Sequence, residues 1–380
     1  MKIGIVCYPT FGGSGVMATE LGMALADKGH EVHFITYNQP VRLDFLSHKL
    51  HFHQVLIEEY PLFQYQPYEL ALSSKMVYVV KTYQLDVLHA HYAIPHAYAA
   101  YMAKQMLKEK GIDIKVVTTL HGTDITLVGS HPTYKTAVEF SINNSDVVTA
   151  VSNSLKKTTN QLFNIHKNIE VVYNFIDIHK YDKAENEECK REALAKPNER
   201  ILTHISNFRP VKRVEDVIKV FYEVQKEIPS KLLMIGEGPE RKKAGLLAKQ
   251  LGIKHLVFFL GNSTEIDKIL CYSDVFLLPS QTESFGLAAL EAMAAKTAVI
   301  STNTGGLPEV NIHGKTGYLS NLGDVEDMAK NAISILKEDT VLETFKQNAK
   351  EHAKKFSLDN ILPVYEDIYK SCYQNKIGSI

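Results

Sequence analysis

Short runs of β-branched and aliphatic residues recur along the chain, separated by longer stretches in which apolar residues return every three or four positions. The first rhythm fits strands and the second amphipathic helices. In the first half the strand candidates are Lys2–Cys7, Glu31–Thr36, Phe52–Ile57, Asp86–His89, Ile114–Leu120, Asp146–Val151 and Glu170–Tyr173. Helical stretches such as Val16–Lys28, Tyr68–Thr82 and His96–Lys110 fall between them. Strands separated by helices of that length predict parallel βαβ units.

The rhythm breaks over Asn174–Glu187, where Asp, His, Lys and Asn gather without a period. It restarts with strands over Ile201–Ile205, Lys231–Ile235, Leu256–Leu260, Asp274–Leu278 and Ala298–Ser301, and helices over Val214–Glu227, Pro239–Leu251 and Leu287–Ala295. Open parallel sheets rarely exceed ~10 strands. The break therefore reads as a linker between two doubly wound α/β domains, residues 1–173 and 174–357. From Asp324 on the pattern is helical, and its last part, about 358–380, follows both sheets and is expected to pack back on the first domain. Ligands bind beyond the carboxyl ends of the strands in such sheets. The expected site is the cleft between two facing domains.

Composition narrows the partners. The 380 residues are 45% hydrophobic and 22% charged, near the globular average. A net charge of -1 offers no general attraction to nucleic acid or anionic lipid. Affinity for a phosphorylated ligand must come from a few placed cations and amides. Cys7, Cys189, Cys271 and Cys372 share no close spacing, so neither a disulfide framework nor a cysteine zinc site is expected. The chain opens Met-Lys-Ile-Gly-Ile-Val, a strand soon interrupted by Pro9 and Gly12 rather than a signal sequence. No apolar run approaches the ~20 residues of a membrane span. A cytoplasmic protein, with neither nucleic acid nor membrane as partner, is the expectation; self-association stays open.

Two stretches carry candidate chemistry. The first is the loop Tyr8-Pro9-Thr10-Phe11-Gly12-Gly13-Ser14-Gly15-Val16 before a helix. Glycines at a helix start let backbone amides approach a phosphate. Gly13-x-Gly15-x-x-Ala18 meets the dinucleotide pattern, but the second strand ends Thr36-Tyr37-Asn38, without the carboxylate an NAD site needs. The second stretch is Leu278–Met293. A strand ends at Pro279, a polar loop follows, and a helix starts near Gly286. Glu283 stands just before that start, where the amides of Phe285, Gly286 and Leu287 can receive an anion. Glu291 comes about two helical turns later among Leu290, Ala292 and Met293, where a carboxylate needs a partner or a ligand.

The spacing Glu283-x7-Glu291 around Ser-Phe-Gly-Leu resembles the retaining GT-B glycosyltransferases of family 4, the glycogen synthase and mannosyltransferase type. The resemblance covers nearly the whole chain. It includes the glycine loop, Leu120-His121-Gly122-Thr123-Asp124, Ala150-Val151-Ser152-Asn153-Ser154, Gly236-Glu237-Gly238-Pro239 and Thr304-Gly305-Gly306-Leu307-Pro308-Glu309. It implies sugar transfer from a nucleotide diphosphate with retention at the anomeric carbon. It also implies that Glu283 binds donor-sugar hydroxyls and Glu291 the ribose, with Ser284 and the amides of Phe285, Gly286 and Leu287 at the diphosphate or sugar. Gly261 and Asn262 would lie near the base, and Gly13 and Ser14 would also reach the donor.

Breaking a sugar–phosphate bond leaves charge on the diphosphate, which a metal or fixed cations must stabilise. No Asp-x-Asp pair is present, so Arg209 and Lys212 are the candidates and no metal or cofactor is expected. Many family members carry an arginine five residues before the lysine. Here Asn207 stands there, and Arg209 is assumed to reach the same phosphate. His89-x-His91 with His96 and His121 invites a metal reading, but no carboxylate or cysteine completes a ligand spacing. His89 is expected inside its strand. His121 ends an apolar strand, and by resemblance it contacts the donor sugar or stabilises developing charge.

Acceptor-binding candidates at strand ends are Ser14, Tyr92, Thr119, His121 and Asn153. Phe11–Gly22, His89–Ala97 and Ser206–Arg213 resemble one branch of the family, in which UDP-N-acetylglucosamine (UDP-GlcNAc) is the donor and the hydroxyl of L-malate the acceptor, at the start of bacillithiol biosynthesis. The rival readings are a family 4 enzyme with another small or lipid-linked acceptor, a UDP-GlcNAc 2-epimerase, an NAD-dependent oxidoreductase and a silent sugar-nucleotide binding module.

Overall fold

The computed structural model describes residues 1–10, 12–43, 47–57, 65–186, 191, 194–263 and 265–377. Phe11 of the glycine loop, Glu187 at the end of the aperiodic stretch and the last three residues of the C-terminal segment lie outside the described residues. The chain divides into two compact units, Met1–Asn174 joined by the segment from Asp359 on, and Phe175–Leu358.

The first unit is a sheet of β1 (Lys2–Val6), β2 (Glu31–Thr36), β3 (Leu50–Gln54), β4 (Val87–His91), β5 (Lys115–Leu120), β6 (Val147–Ala150) and β7 (Ile169–Val171). Their order is β3-β2-β1-β4-β5-β6-β7, with every pairing parallel. Helices cover a parallel sheet on both faces, which is why its strands read as continuous apolar runs. All five residues of β4 are buried. The helix Leu358–Ile377 belongs to this unit from Asp359 on. Its fully buried Tyr369 bonds through the hydroxyl to His89 Nδ1 at 2.7 Å, and Glu366 meets His30 Nε2 at 2.9 Å.

The second unit holds β8 (Arg200–Ile205), β9 (Ser230–Ile235), β10 (Val257–Gly261), β11 (Val275–Leu278), β12 (Ala298–Thr302) and β13 (Gly317–Ser320). Their order is β10-β9-β8-β11-β12-β13, again all parallel. Its core gathers Val217, Phe221, Leu232, Val275, Ile300 and Ile335 from strands and helices.

The expected strands and helices are present, their ends displaced by at most three residues. Three features depart from the sequence reading. Strand β13 was not expected, because Gly-Tyr-Leu-Ser has no β-branched run. Its glycine is there for space: a Cβ on Gly317 would lie 1.7 Å from the Val299 carbonyl oxygen of the neighbouring strand. The stretch without a period contains the helix Ile178–Asn186; among its described side chains Ile178 and Tyr181 are buried, too few to mark a stripe in the sequence. Cys7 and Cys372 are free and buried, but Cys271 is disulfide-bonded, which the cysteine spacing did not signal. No helix among the described residues is long and apolar enough to cross a membrane.

Candidate active site

In each sheet the strand order reverses once, between β1 and β4 in the first unit and between β8 and β11 in the second. Loops leaving the two central strands there run to opposite faces, and the crevice they leave is where ligands bind. Most of the candidate residues follow these four strands; Thr119 and His121 belong to the exit of β5, Asn153 to that of β6, and Gly261 and Asn262 to that of β10.

In the second unit the loop after β8 carries Lys212 and the loop after β11 carries Glu283. Lys212 Nζ donates to Glu283 Oε1 at 2.5 Å, and Ser280 Oγ donates to the same oxygen at 2.8 Å. Both side chains of the pair are mostly covered. Gln281 N donates to Val211 O at 2.8 Å and ties the two loops together. Beneath them His204, fully buried, donates through Nδ1 to Leu277 O at 2.8 Å. That fixes Nε2 as acceptor for Ser206 Oγ, also at 2.8 Å. Burial holds the ring neutral, with its pKa pushed down to about 4.

The glycine motifs of this half are backing for the two loops. A Cβ on Gly236, at φ 120°, would lie 1.8 Å from Ser206 O, and one on Gly238 would lie 2.1 Å from Asn207 O. Gly305, at φ 58°, and Gly306 do the same service for the carboxylate turn, where Gly306 N donates to Glu283 O at 2.8 Å. A methyl on Gly305 would sit 1.9 Å from that carbonyl oxygen. Gly305→Ala is therefore expected to destabilise the second unit by roughly 1–3 kcal/mol and to weaken donor binding, read from a thermal melt and a UDP titration. An unchanged melting temperature would mean the turn relaxes freely.

The helix Leu287–Ala294 starts after Gly286, whose φ of 100° suits glycine. Phe285 is 2% exposed and packs on Phe356, so only its backbone is available to a ligand. Ser284 is half-buried in the turn, and Glu291 is half-buried on the helix. Arg209 and Asn262 are exposed. Gly261, which ends β10, accepts from Gly236 N at 2.7 Å and so places Asn262 beside the glycine turn that supports Ser206.

In the first unit the helix Gly13–Asp27 begins directly after the loop from β1. A Cβ on Gly15 would lie 2.4 Å from Tyr8 O, so the helix start can close onto the loop only with glycine there. Gly13 is exposed. Ser14 Oγ bonds to Tyr92 OH at 2.7 Å, joining the exits of β1 and β4. The Tyr92 ring contacts Tyr8 and His121, with centroids 5.3 and 5.2 Å away. His121 Nε2 lies 2.9 Å from His91 Nδ1. Burial, with His96 nearby, pushes His121 down to about 3, so it is a neutral hydrogen-bonding group at physiological pH.

Asp124 organises this cluster. It is 2% exposed and accepts from Ala93 N at 2.9 Å, Gly122 N at 2.9 Å and His121 N at 3.2 Å, clamping the loops after β4 and β5. Burial pushes its carboxyl up to about 6 against the pull of those three bonds. Thr119 is 1% exposed, and its hydroxyl bonds to His89 Nε2 and Thr149 Oγ1, both at 2.7 Å. Its side chain holds the histidine rather than opening to a small molecule. Asn153, exposed at the start of the helix Asn153–Leu162, reaches Tyr173 OH at 2.8 Å.

The structure thus brings Ser14, Tyr92 and His121 together in one unit and Lys212 and Glu283 in the other. Four participants carried no role in the sequence reading: Tyr8, His91, Asp124 and Ser280. For Asp124 a signal existed, since an Asp shortly after a glycine at a strand exit commonly accepts nearby backbone N–H groups.

Two doubly wound parallel sheets with polar clusters at their reversal points define a nucleotide-sugar transferase fold of the GT-B type, and the chain belongs to the family 4 glycosyltransferases. Residues 11–180 match Glycosyltransferase Family 4, and residues 185–352 match Glycosyl transferases group 1. In sequence the chain is 48% identical over 370 residues to the N-acetyl-alpha-D-glucosaminyl L-malate synthase of Bacillus anthracis, covering 97% of this chain and 96% of that one. In structure it is similar to the Anabaena protein HepE in complex with UDP-glucose, at a TM-score of 0.81 and 21% identity over 98% of this chain and 100% of the other. It is also similar to sucrose-phosphate synthase from Thermosynechococcus elongatus, at a TM-score of 0.80 and 19% identity over 99% and 100%.

Proposed function

We propose that this glycosyltransferase moves N-acetylglucosamine from UDP-GlcNAc to the hydroxyl of L-malate, the first step of bacillithiol biosynthesis, in the cytoplasm. The observation that carries the reading is the 48% identity, end to end, with a protein named for that product. The bond between the anomeric carbon and the diphosphate oxygen breaks, and the malate oxygen bonds to that carbon. The proton of the malate hydroxyl passes to the leaving diphosphate. Lys212 and Arg209 stabilise the charge left there, so no metal is needed.

Glu283 and Ser284 hold the donor sugar, with Glu291 at the ribose and Asn262 near the base. Ser14, Tyr92, His121 and Asn153 receive the acceptor, with Thr119 holding the sheet behind them. Lys212 and Glu283 fit a sugar diphosphate chemically. Glu283 Oε1 takes both described bonds, while a carboxylate has a second oxygen and an ammonium two more N–H groups. A neutral His121 offers a hydrogen bond to a hydroxyl of sugar or malate without adding charge.

UDP release by the purified chain, with and without L-malate and in the presence of a chelator, tests this. The expected result is release that requires malate and survives chelation, giving a product with an α anomeric coupling. Release with a different acceptor would keep the transferase and discard malate. Conversion of UDP-GlcNAc without any acceptor would mean an epimerase, and a β-linked product would overturn retention.

A further inference from the structure

We propose that Glu31, His33 and His51 form a second ligand site in the first unit, for a divalent first-row cation of the zinc type. The placement follows from strand register. In the parallel pair β2·β3, His33 stands opposite His51 and Ile35 opposite His53. Alternation then puts Glu31, His33, His51 and His53 on one face of the sheet. Each of the first three offers one ligand atom, and all three atoms lie within 4.8 Å of one another. His33 Nε2 is 3.1 Å and His51 Nε2 is 3.6 Å from Glu31 Oε1. Ligand atoms around a tetrahedral zinc with bonds of about 2.0–2.2 Å sit about 3.3–3.6 Å apart. Two nitrogens and a carboxylate oxygen are also a donor set this cation accepts, leaving a fourth position for water.

The outer contacts fit the same role. A metal-bound imidazole usually uses its other nitrogen in a hydrogen bond that fixes its tautomer. His33 Nδ1 has such a bond, to His53 Nε2 at 2.9 Å. The second oxygen of Glu31 lies 3.3 Å from Lys2 Nζ, which steadies the carboxylate. His33 is fully buried, while Glu31 and His51 remain about one third exposed, so an ion has a path from solvent. The His33 and His51 rings are now stacked, 4.5 Å apart and 20° from parallel. Capture of an ion requires the His51 ring, on the edge strand β3, to swing until its lone pair points at the shared centre.

Glu31 opens β2, so this site lies at the amino ends of the strands, opposite the end that carries Tyr92 and His121. Its ion would pin the edge strand to the sheet and take no part in transfer. The test uses the full chain stripped with a chelator and dialysed against zinc chloride. One equivalent of zinc is expected to be retained, with a melting temperature raised by several degrees. His51→Ala and Glu31→Gln each lose that uptake and the rise, and His53→Ala weakens binding by about 10–100-fold. UDP release by His51→Ala matches the parent chain. A stripped chain that takes up no zinc overturns the proposal. So does uptake that is unchanged in both His51→Ala and Glu31→Gln, which would instead point to the His91 and His121 pair.

Discussion

Lys212→Ala is expected to lower kcat by about 10²–10³-fold while changing donor affinity far less, measured as steady-state kinetics together with a direct donor titration. In the ground state the diphosphate is already charged and solvated, and one ammonium adds little. Charge grows on the leaving oxygen only as the sugar bond breaks, so a fixed cation counts most at that point. Lys212 is suited to it because its ammonium is held by Glu283 in a mostly covered turn and need not reorganise during the reaction. Its removal also strands Glu283 as an uncompensated carboxylate beside the diphosphate. The double variant Lys212→Ala with Glu283→Gln should therefore lose less than the two single losses combined, with a coupling of about 0.5–3 kcal/mol. A kcat within threefold of the parent for Lys212→Ala would remove the lysine from the transition state and leave Arg209 as the cation.

Acid is expected to unfold the chain between about pH 6 and pH 4, beginning in the first unit. His89, His91 and His96 there, and His204 in the second unit, are each at most 2% exposed. Burial pushes His89 down to about 3, His96 and His204 to about 4, and His91 well below the usual value. The unfolded chain takes up these protons first, at an ordinary pKa near 6.5. Stability from each neutral ring is therefore complete above that value and lost as pH falls toward the folded one. Each contributes a slope of about 1.4 kcal/mol per pH unit. Asp124 has the opposite sign. Its folded carboxyl titrates near 6, above the unfolded ~3.9, so its contribution is present at low pH and lost as pH rises through about 6. It offsets one of the three first-unit histidines just named, while His33 and His121, pushed down by burial to about 4 and about 3, add slope of the same sign as theirs. The remaining slope, at least about 3 kcal/mol per pH unit, exhausts the stability of an ordinary domain, about 5–15 kcal/mol, within a few units. Hydrogen exchange across a pH series, read separately for the two units, checks both the window and the order. Equal protection at pH 7 and pH 4.5, or earlier opening of the second unit, would show that these rings are not held neutral by burial.

Most of the fold was legible along the chain because parallel sheets covered on both faces write themselves as apolar runs between amphipathic stretches. β2 and the helix Val214–Glu227 match their expected bounds residue for residue. The candidate residues of the second half were legible for a local reason. Glu283, Gly286 and Leu287 lie within one strand–loop–helix passage, where spacing alone predicts a helix start and its exposed amides.

What stayed hidden involves partners far apart in sequence. Lys212 and Glu283 are 71 positions apart, and only the order β8-β11 makes their loops neighbours. The glycines at 236, 238, 305 and 306 stood in the sequence only as parts of the family resemblance, and it is three-dimensional closeness to Ser206, Asn207, Glu283 and Ser284 that forbids a side chain at each. The histidines show the same divide. Their number and the spacing His89-x-His91 were plain, but a nitrogen's role depends on what stands across the sheet from it. Strand order and register gave His89 a threonine, His91 a second histidine and His33 the neighbours of the proposed metal site, while the C-terminal helix gave His89 its tyrosine. Local periodicity is set by which face of an element meets apolar neighbours, and one chain segment carries that information. A hydrogen bond or ligand triangle needs two or three segments at once, and their meeting is decided by strand order and register.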